Sequence, residues 1–313
     1  MKHPSNLPTA LGLMALILWS STIGISRSLA EEIGAVRAAS WMYLAGGSLG
    51  CLLLLFQKKN LSRISRLPKS YLFWCGGLFI AYLVFLFLAI GYAATRQQTL
   101  EVGLINYLWP ALTLLLSIPI LKKKASPFLA VGILMALSGI VLAMVPGGRL
   151  SFLSFAENFK SNSLPYLLSF GAAAAWALYS NLSRRLAGDA EGDAVPLFLL
   201  LSGLALWALS GLFPQEIHWT PRVGWELAYM AVLPGLLAYS FWDAAMRKGN
   251  ATLLVSLSYY TPFLSTLLSC LYLGLLPGWN LWAGCLLLTA GAIISHRAFK
   301  SPLPRMTSPS RTD

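Results

Sequence analysis

Ten apolar stretches alternate with short polar turns along this chain, at roughly 8–29, 35–56, 71–93, 99–121, 127–145, 164–184, 194–213, 224–246, 251–275 and 277–298. Each approaches or exceeds the ~20 residues that a helix needs to cross a hydrocarbon layer, and far exceeds the ~10 of a barrel strand. The pattern predicts an all-α membrane protein with ten transmembrane helices. No small-residue cleavage site follows the first stretch, which therefore reads as a span rather than a removed leader.

The second five stretches repeat the first five. Trp19 with Ser26-Arg27 and Leu29-Ala30 recurs 157 positions later as Trp176 with Ser183-Arg184 and Leu186-Ala187. Ala93-Ala94-Thr95-Arg96 returns as Ala244-Ala245-Met246-Arg247; Tyr107 and Pro110 return as Tyr259 and Pro262; Gly132 and Gly139 return as Gly284 and Gly291. Five spans per half is an odd number, so the second half must enter the bilayer inverted. The expected organisation is one five-helix repeat over residues 1–150, an inverted one over 151–300, and a disordered tail over 301–313. Inverted repeats of this kind build secondary transporters, whose substrate site lies near the midplane between the halves.

Composition agrees: 57% of residues are hydrophobic and 11% charged, against roughly 25% charged in soluble proteins. The net charge of +12 would suggest nucleic acid were it not for where the charges fall. Of the Lys and Arg residues, 17 fall on the side that holds both termini and 6 on the other. That asymmetry places both termini in the cytoplasm and makes the basic surface a topology signal. The expected partners are the lipid bilayer and a small-molecule substrate, with no nucleic acid; the chain leaves its oligomeric state open. Cys51, Cys75, Cys270 and Cys285 all fall inside spans, without metal-ligand spacing, so neither a disulfide nor a metal site is indicated. The connection 146–163 is the longest on the outer side, with Phe152, Phe155 and Phe159 suited to the interface.

Span four carries Thr99, Gly103, Asn106, Pro110, Thr113 and Ser117 on one helical face, and the repeat maps them onto Ala251, Val255, Ser258, Pro262, Ser265 and Ser269. Each proline removes a backbone donor and frees the carbonyl one turn earlier. In lipid, such groups must face protein or a water-filled cavity. Paired breaks point to a binding site, although small residues also serve close helix packing. Gly132, Gly139 and Ala143, with Gly284, Gly291 and Ser295, fit a packing seam between spans five and ten.

Rings add a second signal. Trp19, Trp109 and Trp176 sit near the middle of their spans rather than at the interface where tryptophan concentrates. Tyr82, Tyr107, Tyr179, Tyr239, Tyr259 and Tyr260 also lie within spans. Such rings either fill volume or stack on an aromatic or cationic ligand. Arg37, Glu101, Glu226 and Asp243 lie near span ends, where they are expected to reach for the interface. No carboxylate is recognisable at the midplane. An uncharged, polar and aromatic interior suits a zwitterion or a neutral amphipath. No catalytic or cofactor motif is present, which argues against an enzyme.

The ten spans in two halves, the basic loops on one side and the glycine-spaced fifth and tenth spans resemble the drug/metabolite transporter superfamily with its paired EamA-like repeats. The likeness covers residues 8–298. Trp19, the run Asn106-Tyr107-Leu108-Trp109-Pro110 and the run Ser258-Tyr259-Tyr260-Thr261-Pro262 look like the branch of YddG-type aromatic amino acid exporters. That resemblance implies an inner-membrane exporter of Phe, Tyr and Trp working by alternating access. On the residues of this chain, the substrate's polar groups would meet Asn106, Ser258 and carbonyls freed by Pro110 and Pro262. Its ring would lie against Trp19, Tyr82, Trp109 and Trp176, with Tyr107, Tyr179 and Tyr259 also expected in the site. A broader exporter of cationic drugs or other amino acids is the nearest alternative, and a membrane scaffold the more distant one. Many such repeats close their fourth helix with a glycine–glutamate pair; here Leu121-Lys122-Lys123-Lys124 and Leu273-Gly274-Leu275-Leu276-Pro277 stand instead, so no coupling residue carries over.

Overall fold

The computed structural model describes residues 6–56, 64, 66–144, 152–272 and 278–299. The predicted tail 301–313 lies outside the described residues. Among those residues the chain is all-helical, with one isolated β-bridge between Ala125 and Phe299.

In chain order the helices are α1 (Asn6–Ser20), α2 (Thr22–Ile33), α3 (Ala35–Phe56), α4 (Tyr71–Tyr92), α5 (Arg96–Asn106), α6 (Trp109–Leu121), α7 (Phe128–Met144) and α8 (Phe152–Ser161). Then come α9 (Leu164–Leu186), α10 (Val195–Ser210), α11 (Pro221–Met230), α12 (Ala238–Lys248), α13 (Ala251–Leu257), α14 (Tyr260–Tyr272) and α15 (Trp279–Arg297). By length and apolarity Ala35–Phe56, Tyr71–Tyr92 and Gln97–Leu121 each suffice to cross a membrane, and the bent first pair would make a fourth. These apolar helices fit a membrane protein. Helix α8 falls where the sequence suggests only a long connection; its Phe155 and Phe159 rings close on Tyr166 at the start of α9.

The irregularities fall where the sequence frees backbone groups. The chain pauses at Tyr107-Leu108, between α5 and α6 just before Pro110, and at Ser258-Tyr259, between α13 and α14 before Pro262. A proline in the first turn of a helix costs no hydrogen bond, because that N–H has no partner in any case. Pro234 sits in a π-helical segment, Ala231–Leu237, between α11 and α12; α4 opens on a second wide turn, Tyr71–Cys75.

Helix packing is built on glycine. A Cβ on Gly139 would come within 2.7 Å of the Gly284 carbonyl oxygen and of the Leu288 nitrogen, so α7 and α15 approach backbone to backbone. The seam expected between spans five and ten is this contact. Helices α3 and α10 meet in the same way: a Cβ on Gly203 would stand 2.5 Å from the Leu44 nitrogen. Helix α9 packs on α4 and α6, and α1 on α12 and α14. These contacts bring the middle of α1, α4, α6, α9 and α12 together.

Candidate functional site

Helices α1 and α9 each place a tryptophan in that shared interior. Trp19 and Trp176 lie 5.8 Å apart, ring centre to ring centre, in an edge-on arrangement. Trp176 stacks on Tyr179 at 5.0 Å, one turn along α9, and lies 4.7 Å from Tyr82 of α4. Trp109 of α6 stands edge-on to Trp176 and to Trp242 of α12. Trp19 also touches Tyr239 and Trp242. Edge-on and offset pairs satisfy the ring quadrupoles, each worth about 0.5–1.5 kcal/mol beyond the area buried.

Polar atoms thread this cluster. The indole N–H of Trp19 donates to the Pro234 carbonyl, in the π-helical segment, at 3.2 Å. Trp242 donates its indole N–H to the Ser180 hydroxyl at 3.3 Å. The Tyr239 hydroxyl bonds with Tyr43 and Tyr82, and Tyr82 in turn reaches Asn106. The result is a chain of hydroxyls ending on an amide. Asn106 Oδ1 is buried and accepts from no protein group; Ser256 Oγ, Tyr259 Oη and Thr261 Oγ1 are likewise unpartnered. All four sit at or beside the breaks between α5 and α6 and between α13 and α14. A buried polar atom left unpaired costs about 1–3 kcal/mol, so such positions call for water or ligand.

Asp243 lies directly behind the cluster. Tyr179 and Tyr71 donate their hydroxyls to its Oδ1 at 2.9 and 3.0 Å, and Arg247 Nη1 reaches its Oδ2 at 3.0 Å. The Asp243 and Arg247 side chains are 2% and 3% exposed, so this carboxylate does not reach for the interface as its place in the sequence suggests. Glu101 is buried too, accepting from Gln97, Asn158 and Tyr166. Arg37 does reach the surface, where it donates to the Gln215 carbonyl. Glu226 pairs with Arg222 one turn away.

Of the residues singled out from sequence, Trp19, Tyr82, Trp109, Trp176 and Tyr179 come together as rings. Asn106 joins them through Tyr82, and Tyr107 packs alongside. Pro110 and Pro262 are buried at the two breaks. Ser258 turns its hydroxyl back to the Val255 carbonyl at 2.7 Å, so its proton is already committed. Tyr259 is buried at the second break. Sequence reasoning missed Trp242 and Phe79, both in contact with Trp176. The available signal was helical spacing: Tyr239, Trp242 and Met246 recur on one face of α12. Trp207, in contrast, is 58% exposed and faces away from the core.

The model of the EamA-like transporter family matches the chain twice, over residues 7–145 and 163–297. The chain is 34% identical to "Aromatic amino acid exporter YddG" of Escherichia coli (strain K12) over 91% of this chain and 95% of that protein. It is 34% identical to the protein of the same name from Salmonella typhimurium, over 93% and 97%. A solved crystal structure superposes with a TM-score of 0.76 at 28% identity, over 92% of this chain and 96% of that one. The chain belongs to the EamA-like transporter family.

Proposed function

We propose that this transporter exports aromatic amino acids, Phe, Tyr and Trp, across the bacterial inner membrane. The observation that carries the reading is the ring cluster: Trp19, Tyr82 and Trp109 come from the first matched segment, and Trp176, Tyr179 and Trp242 from the second. A substrate ring would exchange contacts with these rings, edge-on or stacked, as they now contact one another. Its ammonium and carboxylate would meet Asn106 Oδ1, Tyr259 Oη and the backbone near Pro110. The relatives named as aromatic amino acid exporters support this substrate class.

Ten spans in two inverted five-helix repeats, over 1–150 and 151–300 with both termini cytoplasmic, give the mechanism. Helix pairings support it, because each major contact has a counterpart: α9 with α4 and α1 with α12, α9 with α6 and α1 with α14. The doubled family match has the same sense. In this mechanism the two halves rock about the seams α3–α10 and α7–α15 and expose the ring cluster to one side, then the other. Glycine-to-backbone seams suit that role, since they allow close contact without long interlocking side chains.

Counterflow of labelled tryptophan, phenylalanine and threonine in proteoliposomes tests the reading. Movement of the two aromatic substrates but not threonine is expected. Equal movement of threonine removes the aromatic preference, and competition by planar organic cations would favour a broader drug exporter.

A further inference from the structure

The buried charges behind the ring cluster are not among the groups that the proposed function assigns to the substrate. They lie toward the end of the bundle that holds both described chain ends. Bonds between Asn250 and Thr9, Lys123 and Thr252, and Ser126 and Ala298 close that end. Arg247 is held there by Asp243 and by the carbonyls of Gly192 and Ala190 in the connection between α9 and α10. Its Nε is buried without a partner, so the guanidinium has a donor to spare. Asp193 follows Gly192 directly, accepts the Val195 N–H at 2.9 Å and lies close enough to Asp243 for the two carboxylates to repel.

Asp243 is paired with this guanidinium, and Asp193 lies beside them, in a largely buried pocket. The other titratable groups facing α12 there are Tyr71 and Cys75 of α4, Tyr179 of α9, and Arg184 of α9, whose guanidinium donates to the Met246 and Gly249 carbonyls. Helices α1 and α10, also packed against α12, carry no titratable side chain. Like charges sharing one counter-charge in low dielectric do not both ionise freely, and the pair takes up a proton as a unit.

We propose that Asp193, Asp243 and Arg247 form a proton-binding site that couples proton uptake to opening of this end of the transporter. The proton comes from water and forms one O–H bond on a carboxylate oxygen. Arg247 stays a guanidinium, paired with the carboxylate that remains ionised, and nothing is oxidised or reduced. A neutral Asp243 offers Tyr71 and Tyr179 a weaker acceptor than an anion does. Tyr71 belongs to the first matched segment and Asp243 to the second, so protonation loosens a tie between them. Asp193, in the connection outside the helices, is consistent: burial first and the Asp243 charge second push its carboxyl up to about 6, against the Ser240 and Val195 hydrogen bonds that pull it down.

The coupling half of this inference rests on the transport reading; the proton site itself does not. Two measurements separate them. In purified protein, the acid-minus-alkaline infrared difference should contain a carboxylic acid band that shifts in D2O and is lost or moved in Asp243→Asn. Should that variant fail to fold, Asp193→Asn serves: with one of the two carboxylates gone, the band should be lost or moved. No such band, or a band unchanged in both variants, overturns the site. In proteoliposomes, the ratio of gradient-driven to exchange flux of tryptophan should rise severalfold with an imposed pH gradient, and this rise should disappear in the variants. A wild-type ratio indifferent to the gradient overturns the coupling, and a rise that survives in both variants removes these residues from it. Absence of tryptophan exchange without any gradient counts against the substrate reading, and the infrared result then decides the proton site alone.

Discussion

The indole N–H of Trp19 reaches the backbone carbonyl of Pro234, 215 positions along the chain, at 3.2 Å. This bond ties the middle of α1 to the π segment preceding α12, and so ties a ring of the candidate site to the turn that shapes its wall. Trp19→Phe keeps a ring and removes the donor. It should cost about 1 kcal/mol of stability, read as a lower unfolding midpoint in detergent, and should depress tryptophan counterflow more than Trp207→Leu, on the exposed face of α10. Equal transport by both variants would detach Trp19 from the site.

Cys75 reports on the tie between Tyr71 and Asp243. It is fully buried one turn beyond Tyr71 on α4. In a background with Cys51, Cys270 and Cys285 replaced by Ser, a permeant maleimide should label Cys75 slowly. Tyr71→Phe removes a hydrogen bond to a charged acceptor, worth about 1.5–3 kcal/mol. Labelling should then accelerate by at least about tenfold, since about 1.4 kcal/mol corresponds to a factor of ten.

Two glycines should respond oppositely to Ala. At Gly139 the new methyl would meet the Gly284 carbonyl and the Leu288 nitrogen, both at 2.7 Å and both backbone. Forcing α7 from α15 should cost about 1–3 kcal/mol. At Gly77, where nothing lies within 4 Å of the added carbon, Ala should be neutral or gain about 0.5–1 kcal/mol from helix propensity. Thermal unfolding of the two variants in one detergent checks the contrast.

Lys123 predicts a pH dependence of stability. It follows the end of α6, bonded to Thr252 Oγ1 and lying over the Phe299 ring. Burial first and the Arg184 charge second hold its ammonium down to about 8, from 10.5. Between these values the unfolded chain keeps the proton that the folded chain has released. Stability should therefore rise with pH across that window. Replacing Lys123 with Met should flatten the rise, measured as unfolding midpoint against pH.

Local sequence carried much of this architecture. Apolar runs marked the helices, because lipid imposes the same length on each. Prolines at 110 and 262 marked the breaks, and glycines at 132, 139, 284 and 291 marked the seam, since each acts through backbone geometry that belongs to the residue itself. Midspan placement likewise singled out Trp19, Trp109 and Trp176.

Other features depended on which helices become neighbours. Asp243 sits five positions before the end of α12, where a lone helix would let it reach water; Tyr71 and Tyr179, 172 and 64 positions away, close over it. Trp242 reads as one apolar residue among many until α1, α6 and α9 surround it. Asn106 and Ser258 lie 152 positions apart, at the ends of α5 and α13, yet the Ser258 hydroxyl bonds its own helix backbone while Asn106 Oδ1 accepts from no protein group. Sequence alone determined where the chain can lie in lipid and where its helices break, because those follow from transfer free energy and backbone chemistry one segment at a time. Only the tertiary structure decided which polar groups are shielded from water, since burial and hydrogen bonding are properties of pairs that packing brings together.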